Sequence, residues 1–473
     1  MNLRTNIFLL LCLLSAINLA AQQVTWVSST ANALWKNQKN ISLQSKNAHP
    51  TSIEIQLDAP QQTMEGFGGC FNELGWDALQ ILDETARTSV LKSLFDPVSG
   101  LNFTLCRTPI GANDYSRSWY SYNEIDGDFA MKNFSIDRDR EALLPYIKSA
   151  LAINPNIRLW ASPWSAPTWF KTNHHYSNRS HQCNDLPKSR EVPLYQDQMI
   201  QDPRYLQAYA LYFTKYLNAY KAEGIPVEMV MYQNEAFTFA QWPNCSWNPT
   251  SIARFNTEYL GPELEKTHPD VQIYAGTFNT GDMKVFETIM NYPNIEKYVK
   301  GFAFQWEGRD AIGKFHQLYP QMKVMQSESE CGNGAFGWKD AEHTFSLMKT
   351  YFDSGAGAYT EWNMTLADDG ASAWCWKQNA LVRIISATKE VIYTPEYYVY
   401  KHVCSQVPNG SVYLPIKGNN AMIAFLTPDK KIVLIAANST DADQQASVKI
   451  GKKYLNVRLN QHSFNTFIIH HKK

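Results

Sequence analysis

Between residues 66 and 360 the chain repeats one pattern. A short apolar run is followed by a longer stretch whose apolar residues recur at helical spacing. The runs lie at Gly66–Gly69, Phe103–Arg107, Ile157–Ala161, Val227–Gln233, Val271–Gly276, Gly301–Gln305, Lys323–Gln326 and Gly357–Thr360, eight in all. Helical stretches between them include Asp139–Leu151, Arg204–Glu223, Ile252–Lys266 and Ala341–Phe352. Strands alternating with helices predict a parallel sheet. Eight such units predict an α/β fold of the (β/α)8 TIM-barrel type, which takes roughly 250 residues before insertions. The polar stretch Thr172–Asp202 follows the third run, so it is expected as a large loop at the catalytic face of the barrel.

Beyond Val391 the pattern changes to short runs separated by turn residues: Val412–Leu414, Ala421–Leu426, Lys431–Ala436, Ser447–Ile450, Tyr454–Leu459 and Ser463–Ile469. Pro428-Asp429-Lys430 is a hairpin signal. A smaller antiparallel β-sandwich domain is expected at residues 391–473. The strand-like pieces within residues 22–61 have no helical partners and are expected to join it, leaving residues 62–390 as the barrel. Met1–Ala21 carries one charge (Arg4), an apolar run and then small residues at Ala20-Ala21. It reads as a signal peptide, so export to the periplasm, cell surface or medium is expected. No later segment holds 18 unbroken apolar residues, so no membrane span is expected.

Composition narrows the partners. The 43 basic and 44 acidic residues become 42 and 44 once Arg4 leaves, a net charge of −2 that attracts neither nucleic acid nor anionic lipid. A monomer is expected. The chain has 14 Trp, 25 Tyr and 23 Phe, and such rings pack on the apolar faces of sugars as readily as they fill cores. Seven cysteines remain after the signal. Cys70, Cys106 and Cys331 sit in apolar contexts, whereas Cys183 and Cys245 lie in loop-like sequence and are able to pair. No His/Cys cluster has zinc spacing, and the adjacent His174 and His175 point to different faces, so no metal or cofactor is expected.

Two glutamates carry the chemistry. Glu235 follows the fourth run in Gln233-Asn234-Glu235-Ala236, and Glu328 follows the seventh in Gln326-Ser327-Glu328-Ser329-Glu330. Two carboxyls brought to one face of a barrel suit glycosidic bond cleavage, in which one gives a proton and the other attacks the sugar. Glu330 is a rival for Glu328, because residues two apart on a strand face the same way. Asp114 stands just after the second run as a sugar-hydroxyl acceptor or a helix cap. Trp164, Trp306, Trp362, Trp374 and Trp376 are either core residues or site walls.

These stretches resemble glycoside hydrolase family 30, the family of glucosylceramidases and β-1,6-glucanases. The likeness rests on Gly66-Phe67-Gly68-Gly69, Arg107-Thr108-Pro109-Ile110, Ala161-Ser162-Pro163-Trp164 through Lys171-Thr172-Asn173, Asn234-Glu235, Ser327-Glu328 and Glu361-Trp362-Asn363. The resemblance implies Glu235 as acid/base and Glu328 as nucleophile. It implies that Asp114, Trp164, Asn234, Trp362 and Asn379 hold the glycone, and that Arg107 points inward, where its charge helps keep Glu328 ionised. Ala236 replaces a proline common in the family, and Gln305-Trp306-Glu307 stands where glucosylceramidases have His-Trp-Tyr. The expected function is a retaining β-glycoside hydrolase of β-glucosyl linkages. A β-1,6-glucan is favoured by the polar Gln305-Trp306-Glu307 site. Glucosylceramide or another small β-glucoside is the alternative, and a non-catalytic glycan-binding protein is the reading from a different class.

Overall fold

The computed structural model describes residues 23–49, 53–418 and 421–470. The segment read as a signal peptide lies outside the described residues.

The fold is a TIM barrel with a β-sandwich attached. The eight barrel strands are Gly66–Cys70, Leu105–Pro109, Arg158–Ser162, Met229–Met231, Gln272–Phe278, Val299–Gln305, Lys323–Glu328 and Ala358–Asn363. Each of the first six pairs in parallel with the next, and the eighth pairs with the first. The seventh and eighth meet at a narrower seam. There the Gly357 N–H donates to the Val324 carbonyl (3.0 Å) and the Thr360 N–H to the Gln326 side-chain oxygen (2.6 Å). Gly68 is required where the first strand crosses the second, since a Cβ there would collide with the Leu105 carbonyl.

Period-two alternation sorts the strand residues. Leu105, Trp160, Met229, Met231, Tyr274, Ala303, Met325 and Ala358 form an apolar plug inside the barrel. Their neighbours, such as Cys106, Leu159, Val230, Ile273, Phe302, Phe304 and Val324, pack outward against the helices. The longest helix, Pro203–Ala222, starts with Pro at its first position and an Asp202 cap donated to by the Arg204 N–H. The expected continuous helix over 252–266 is instead broken into Pro249–Arg254, a wide π-helical stretch Phe255–Leu260 and Gly261–Thr267. Pro262 has no amide hydrogen to donate to the Glu258 carbonyl as an ordinary turn requires, and within the stretch the Asn256 side-chain amide donates to the Ile252 and Ala275 carbonyls.

The sandwich recruits the N-terminal strands. One sheet runs Val412–Tyr413, Met422–Leu426, Lys431–Asn438, Ser463–His470, Gln23–Thr30, Ala33–Asn37. The other holds Ile416–Lys417, Glu54–Ile55, Gln444–Ile450 and Lys453–Leu459. Lys430 takes a left-handed φ of 66° in the hairpin turn marked by Pro428-Asp429-Lys430. Helix Pro395–Cys404 begins after residue 391 and packs on helix Trp338–Asp353, so the barrel's helical layer runs on into the stretch assigned to the β domain. Phe352 against Phe425 and Trp338 against Phe464 fasten the two domains. Among the described residues no helix is long and apolar enough to cross a membrane.

His402 is the polar rivet of that interface. Fully buried, it bonds Ser29 through Nε2 and Thr466 through Nδ1, both at 2.8 Å. Burial, with Lys401 nearby, pushes its pKa down to about 3. The neutral ring is therefore the folded form. Its contribution to stability is complete above the ordinary histidine pKa near 6.5 and is lost as pH falls from there toward 3. His402→Ala is expected to cost about 2–4 kcal/mol, from a cavity plus two orphaned hydroxyls. A denaturant midpoint series from pH 7 to 4 checks this, since the wild type must lose part of the difference on acidification.

Candidate active site

The site sits on the apolar plug and continues the same strands by one pleat. Arg107 lies two residues after Leu105, Ser162 two after Trp160, Gln305 two after Ala303 and Ser327 two after Met325. All four are fully buried. They form a polar layer over an apolar floor.

Arg107 is its centre. One guanidinium nitrogen donates to Glu328 Oε2 (2.7 Å). The other donates to Asn234 Oδ1 (2.7 Å) and Ser162 Oγ (2.9 Å). Its cationic carbon lies 4.1 Å from the Trp164 ring centroid and 4.7 Å from that of Trp160. Gln305 extends the network, donating to Glu235 Oε1 (3.0 Å) and Asn234 Oδ1 (3.2 Å). The Ser327 hydroxyl donates to Gln305 Oε1 (2.7 Å), which fixes the amide orientation. The side chains of Glu235 and Glu328 are thus joined through Gln305, Asn234 and Arg107.

A bulge aims Glu328. Ala303 pairs with Met325 and Phe304 with Gln326, but Gln305 pairs with Glu328, skipping Ser327. Met325 points inward, so unbroken alternation would turn Glu328 outward. The extra residue turns it in, a known use of bulges beside active sites. Glu330 does not share this face. The strand ends at Glu328, and Glu330 binds Arg309 and His343 on the surrounding helices instead. The rivalry expected from a regular pleat fails because the pleat stops there.

Glu235 lies beyond the fourth strand, which ends at Met231, on a segment anchored by a single bridge between Asn234 and Thr277. Its backbone is left-handed, with φ 47°. That conformation costs a non-glycine residue roughly 1–2 kcal/mol. Its amide donates to the Thr277 carbonyl (3.1 Å), and its carboxylate accepts from Thr238 (3.0 Å) as well as Gln305. Trp306, also left-handed at φ 49°, donates its indole N–H to Glu328 Oε1 (3.2 Å).

Both glutamates line one cavity of about 180 Å3. Asp114, Trp164, Trp306, Glu307, Thr238, Trp242, Asn279, Trp376 and Gln378 complete its wall. No helix begins at Asp114. Its Oδ1 is buried without a hydrogen-bond partner among the described residues, which suits a ligand hydroxyl. Trp362 is fully buried behind the wall, stacked on Trp164 at 5.0 Å, and its indole N–H is likewise unpartnered.

The carboxyls are unequal. Burial pushes all three up, and the Glu328 charge adds to the push on Glu235 and Asp114. Glu235 reaches about 8. At Glu328 the Arg107 ion pair and the Trp306 N–H oppose burial, so Glu328 is the readier of the two to ionise. One buried cation does not neutralise three buried carboxylates. The cavity therefore holds a proton donor and an anion side by side at neutral pH.

Residues 64–407 match the model of the glycosyl hydrolase family 30 TIM-barrel domain, and residues 410–467 match that of the family 30 beta sandwich domain. The chain belongs to glycoside hydrolase family 30. Its relatives include lysosomal acid glucosylceramidase from Mus musculus, 25% identical over 83% of this chain and 78% of that one. Endo-1,6-beta-D-glucanase neg1 from Aspergillus fumigatus is 27% identical over 87% and 86%. Among solved structures, SrfJ from Salmonella typhimurium superposes with a TM-score of 0.85 at 22% identity, covering 95% of this chain and all of the other. The protein is a family 30 glycosidase.

Within this family 30 site the expected Arg107, Asp114, Trp164, Asn234, Trp306 and Trp362 cluster around Glu235 and Glu328. Asn379 does not reach the cavity. Its Oδ1 accepts the Gly334 and Phe336 amides and its Nδ2 donates to Glu396, so it ties the loop after the seventh strand to helix Pro395–Cys404. Its neighbour Gln378 is the one in the wall. Lys171 plays a similar part in the Lys-Thr-Asn motif, donating to Ser165, the Tyr176 carbonyl and the Asn244 carbonyl. Cys183 pairs with Cys375, not with Cys245, which is fully buried. Thr238, Trp242, Asn279 and Gln378 escaped the sequence reading, while Gln305 and Ser162 stood in its motifs without a role at the carboxyls. Period two from Ala303 and Trp160 marks Gln305 and Ser162. The others sit on loops whose course no periodicity encodes.

Glu328→Gln is expected to cut turnover of an aryl β-glucoside by at least about 10³-fold. Glu330→Gln is expected to stay within a few-fold of wild type, and a large loss there contradicts the inward assignment of Glu328. The kcat/KM profile is expected to fall as pH rises through about 8, where Glu235 loses its proton.

Proposed function

We propose that this glycosidase cleaves β-D-glucosyl linkages with retention of configuration, and that its substrate is a β-1,6-glucan or its oligosaccharides. The observation that carries the reading is the pair of glutamates on one cavity, of which Glu235 holds its proton more tightly than Glu328. Protonated Glu235 gives its proton to the glycosidic oxygen while Glu328 attacks the anomeric carbon and forms an ester. Arg107 and the Trp306 N–H hold the attacking carboxylate until the bond forms. Ester formation removes the negative charge beside Glu235. Its carboxylate, relieved of that repulsion, then takes a proton from the water that releases the sugar. Asp114, Trp164, Asn234 and Trp362 surround the glycone. Protons and electron pairs pass only between glutamates, sugar and water, so the scheme calls for no metal or cofactor.

A hydroxylated leaving group is supported by Glu307, an exposed carboxylate on the cavity wall. The glucanase relative from Aspergillus fumigatus points the same way. Glucosylceramide is the second reading, favoured by the mouse relative and by the tryptophans in the cavity wall. Export is supported by the Met1–Ala21 segment and by the Cys183–Cys375 bond, a kind that persists in oxidising compartments.

Product analysis on β-1,6-glucan, β-1,3-glucan, gentiobiose, glucosylceramide and xylan tests the substrate. Release of glucose or short β-1,6 oligosaccharides, first as the β-anomer by NMR, is the expected result. An α-anomer contradicts retention, glucosylceramide alone selects the second reading, and tight binding without turnover favours the glycan-binding alternative.

A further inference from the structure

The cavity wall has two parts. Asp114, Trp164 and Glu328 lie together around the buried network. Thr238 and Trp242 follow the fourth strand, Asn279 the fifth, Glu307 the sixth and Trp376 the eighth. This second part adjoins Glu235, since Thr238 donates to Glu235 Oε2 and Asn279 donates to Thr238. A group that takes a proton from Glu235 must leave on that side.

Trp242 and Trp376 dominate this side. They reach across from loops of the fourth and eighth strands and meet with ring centroids 5.1 Å apart at 42°. Trp160, Trp164, Trp247 and Trp362 are fully buried, but Trp242 and Trp376 remain partly open to the cavity. Two polar atoms beside them lack partners among the described residues, Trp376 Nε1 and Asn279 Oδ1. Open aromatic faces flanked by one free donor and one free acceptor match a pyranose ring, whose axial C–H bonds pack on rings while its hydroxyls bond around the edge.

Trp376 is held from outside the cavity. It belongs to a small hairpin in which Ala371 bridges Lys377 and the Ser372 N–H donates to the Trp376 carbonyl (2.7 Å). Cys375 is at the tip of that hairpin, and its disulfide to Cys183 ties the tip to the long loop after the third strand. Trp374, on the other side of Cys375, packs on Trp119, which stacks on Tyr176 of the same loop. The bond is reachable by a reductant, since Cys375 is exposed, whereas the free cysteines Cys70, Cys106, Cys245, Cys331 and Cys404 are buried.

We propose that Trp242 and Trp376 form a second sugar subsite, which takes the leaving-group residue of a β-linked glucan, and that the Cys183–Cys375 disulfide positions Trp376 within it. The inference rests on the β-glucosyl reading above and adds where the second ring binds.

β-Glucosyl fluoride tests it, because fluoride leaves no ring in the second subsite. The readout is the ratio of kcat/KM for gentiobiose to that for the fluoride. Trp376→Ala is expected to lower this ratio about 10–100-fold, mostly through a higher KM for gentiobiose. Dithiothreitol is expected to lower it in the wild type, in the same direction and by less, and to do nothing further to Cys375→Ser. An unchanged ratio in Trp376→Ala overturns the subsite. An unchanged ratio on reduction, with loss of the disulfide verified by mass, overturns the positioning role. A wild type inert to the fluoride fails the β-glucosyl reading itself and takes the subsite with it.

Discussion

The ion pair of Arg107 with Glu328, closed off from water at the top of the barrel, organises the rest of the site. A buried pair of this kind adds little net stability, because desolvating both charges offsets their attraction. Its value here lies in asymmetry. Three buried carboxyls share one guanidinium, and the guanidinium touches only one of them. Glu328 is the readier to ionise, and burial, reinforced by the repulsion from its charge, keeps a proton on Glu235. The Trp160 and Trp164 rings both pack on the cation, so it is fixed by packing as well as by hydrogen bonds.

The barrel makes that arrangement from simple rules. Period two places Leu105, Trp160, Ala303 and Met325 in the plug, and two residues later Arg107, Ser162, Gln305 and Ser327 in the polar layer. Two departures from regular geometry then finish the site. The bulge opposite Gln305 turns Glu328 inward, and left-handed backbones at Glu235 and Trp306 bring their side chains over the same spot. These irregularities are tolerated because tightly packed strands and helices surround them, and the stability they forgo is carried by the plug, the helical shell and the sandwich interface.

Much of this was legible in the chain. The eight strands read clearly because each is buried on both faces and so appears as a continuous apolar run. Glu235 and Glu328 were visible as carboxyls at the ends of two such runs. What the chain hid depends on irregular backbone or on loop course. Glu330 stood as a rival to Glu328 because a bulge leaves no periodic trace. Asn379 looked like a sugar ligand, yet its amide is consumed in joining a loop to a helix. Cys245 was an available partner for Cys183 by its loop-like context, but the actual partner lies 192 residues away on another loop. The π-helical stretch at Phe255–Leu260 was masked by an ordinary apolar spacing. Such features are decided by three-dimensional packing among distant segments, and local sequence carries little of that information.

The charge asymmetry is open to direct observation. In protein carrying carboxyl-13C glutamate, with Glu235 and Glu328 assigned through their Gln variants, the two resonances titrate separately. Glu235 is expected to keep its proton to about pH 8 while Glu328 ionises first. Trapping Glu328 as a 2-deoxy-2-fluoroglucosyl ester is expected to move the Glu235 titration downward. A Glu235 that ionises before Glu328, or a titration that stays put when the ester forms, would contradict the roles assigned to the pair.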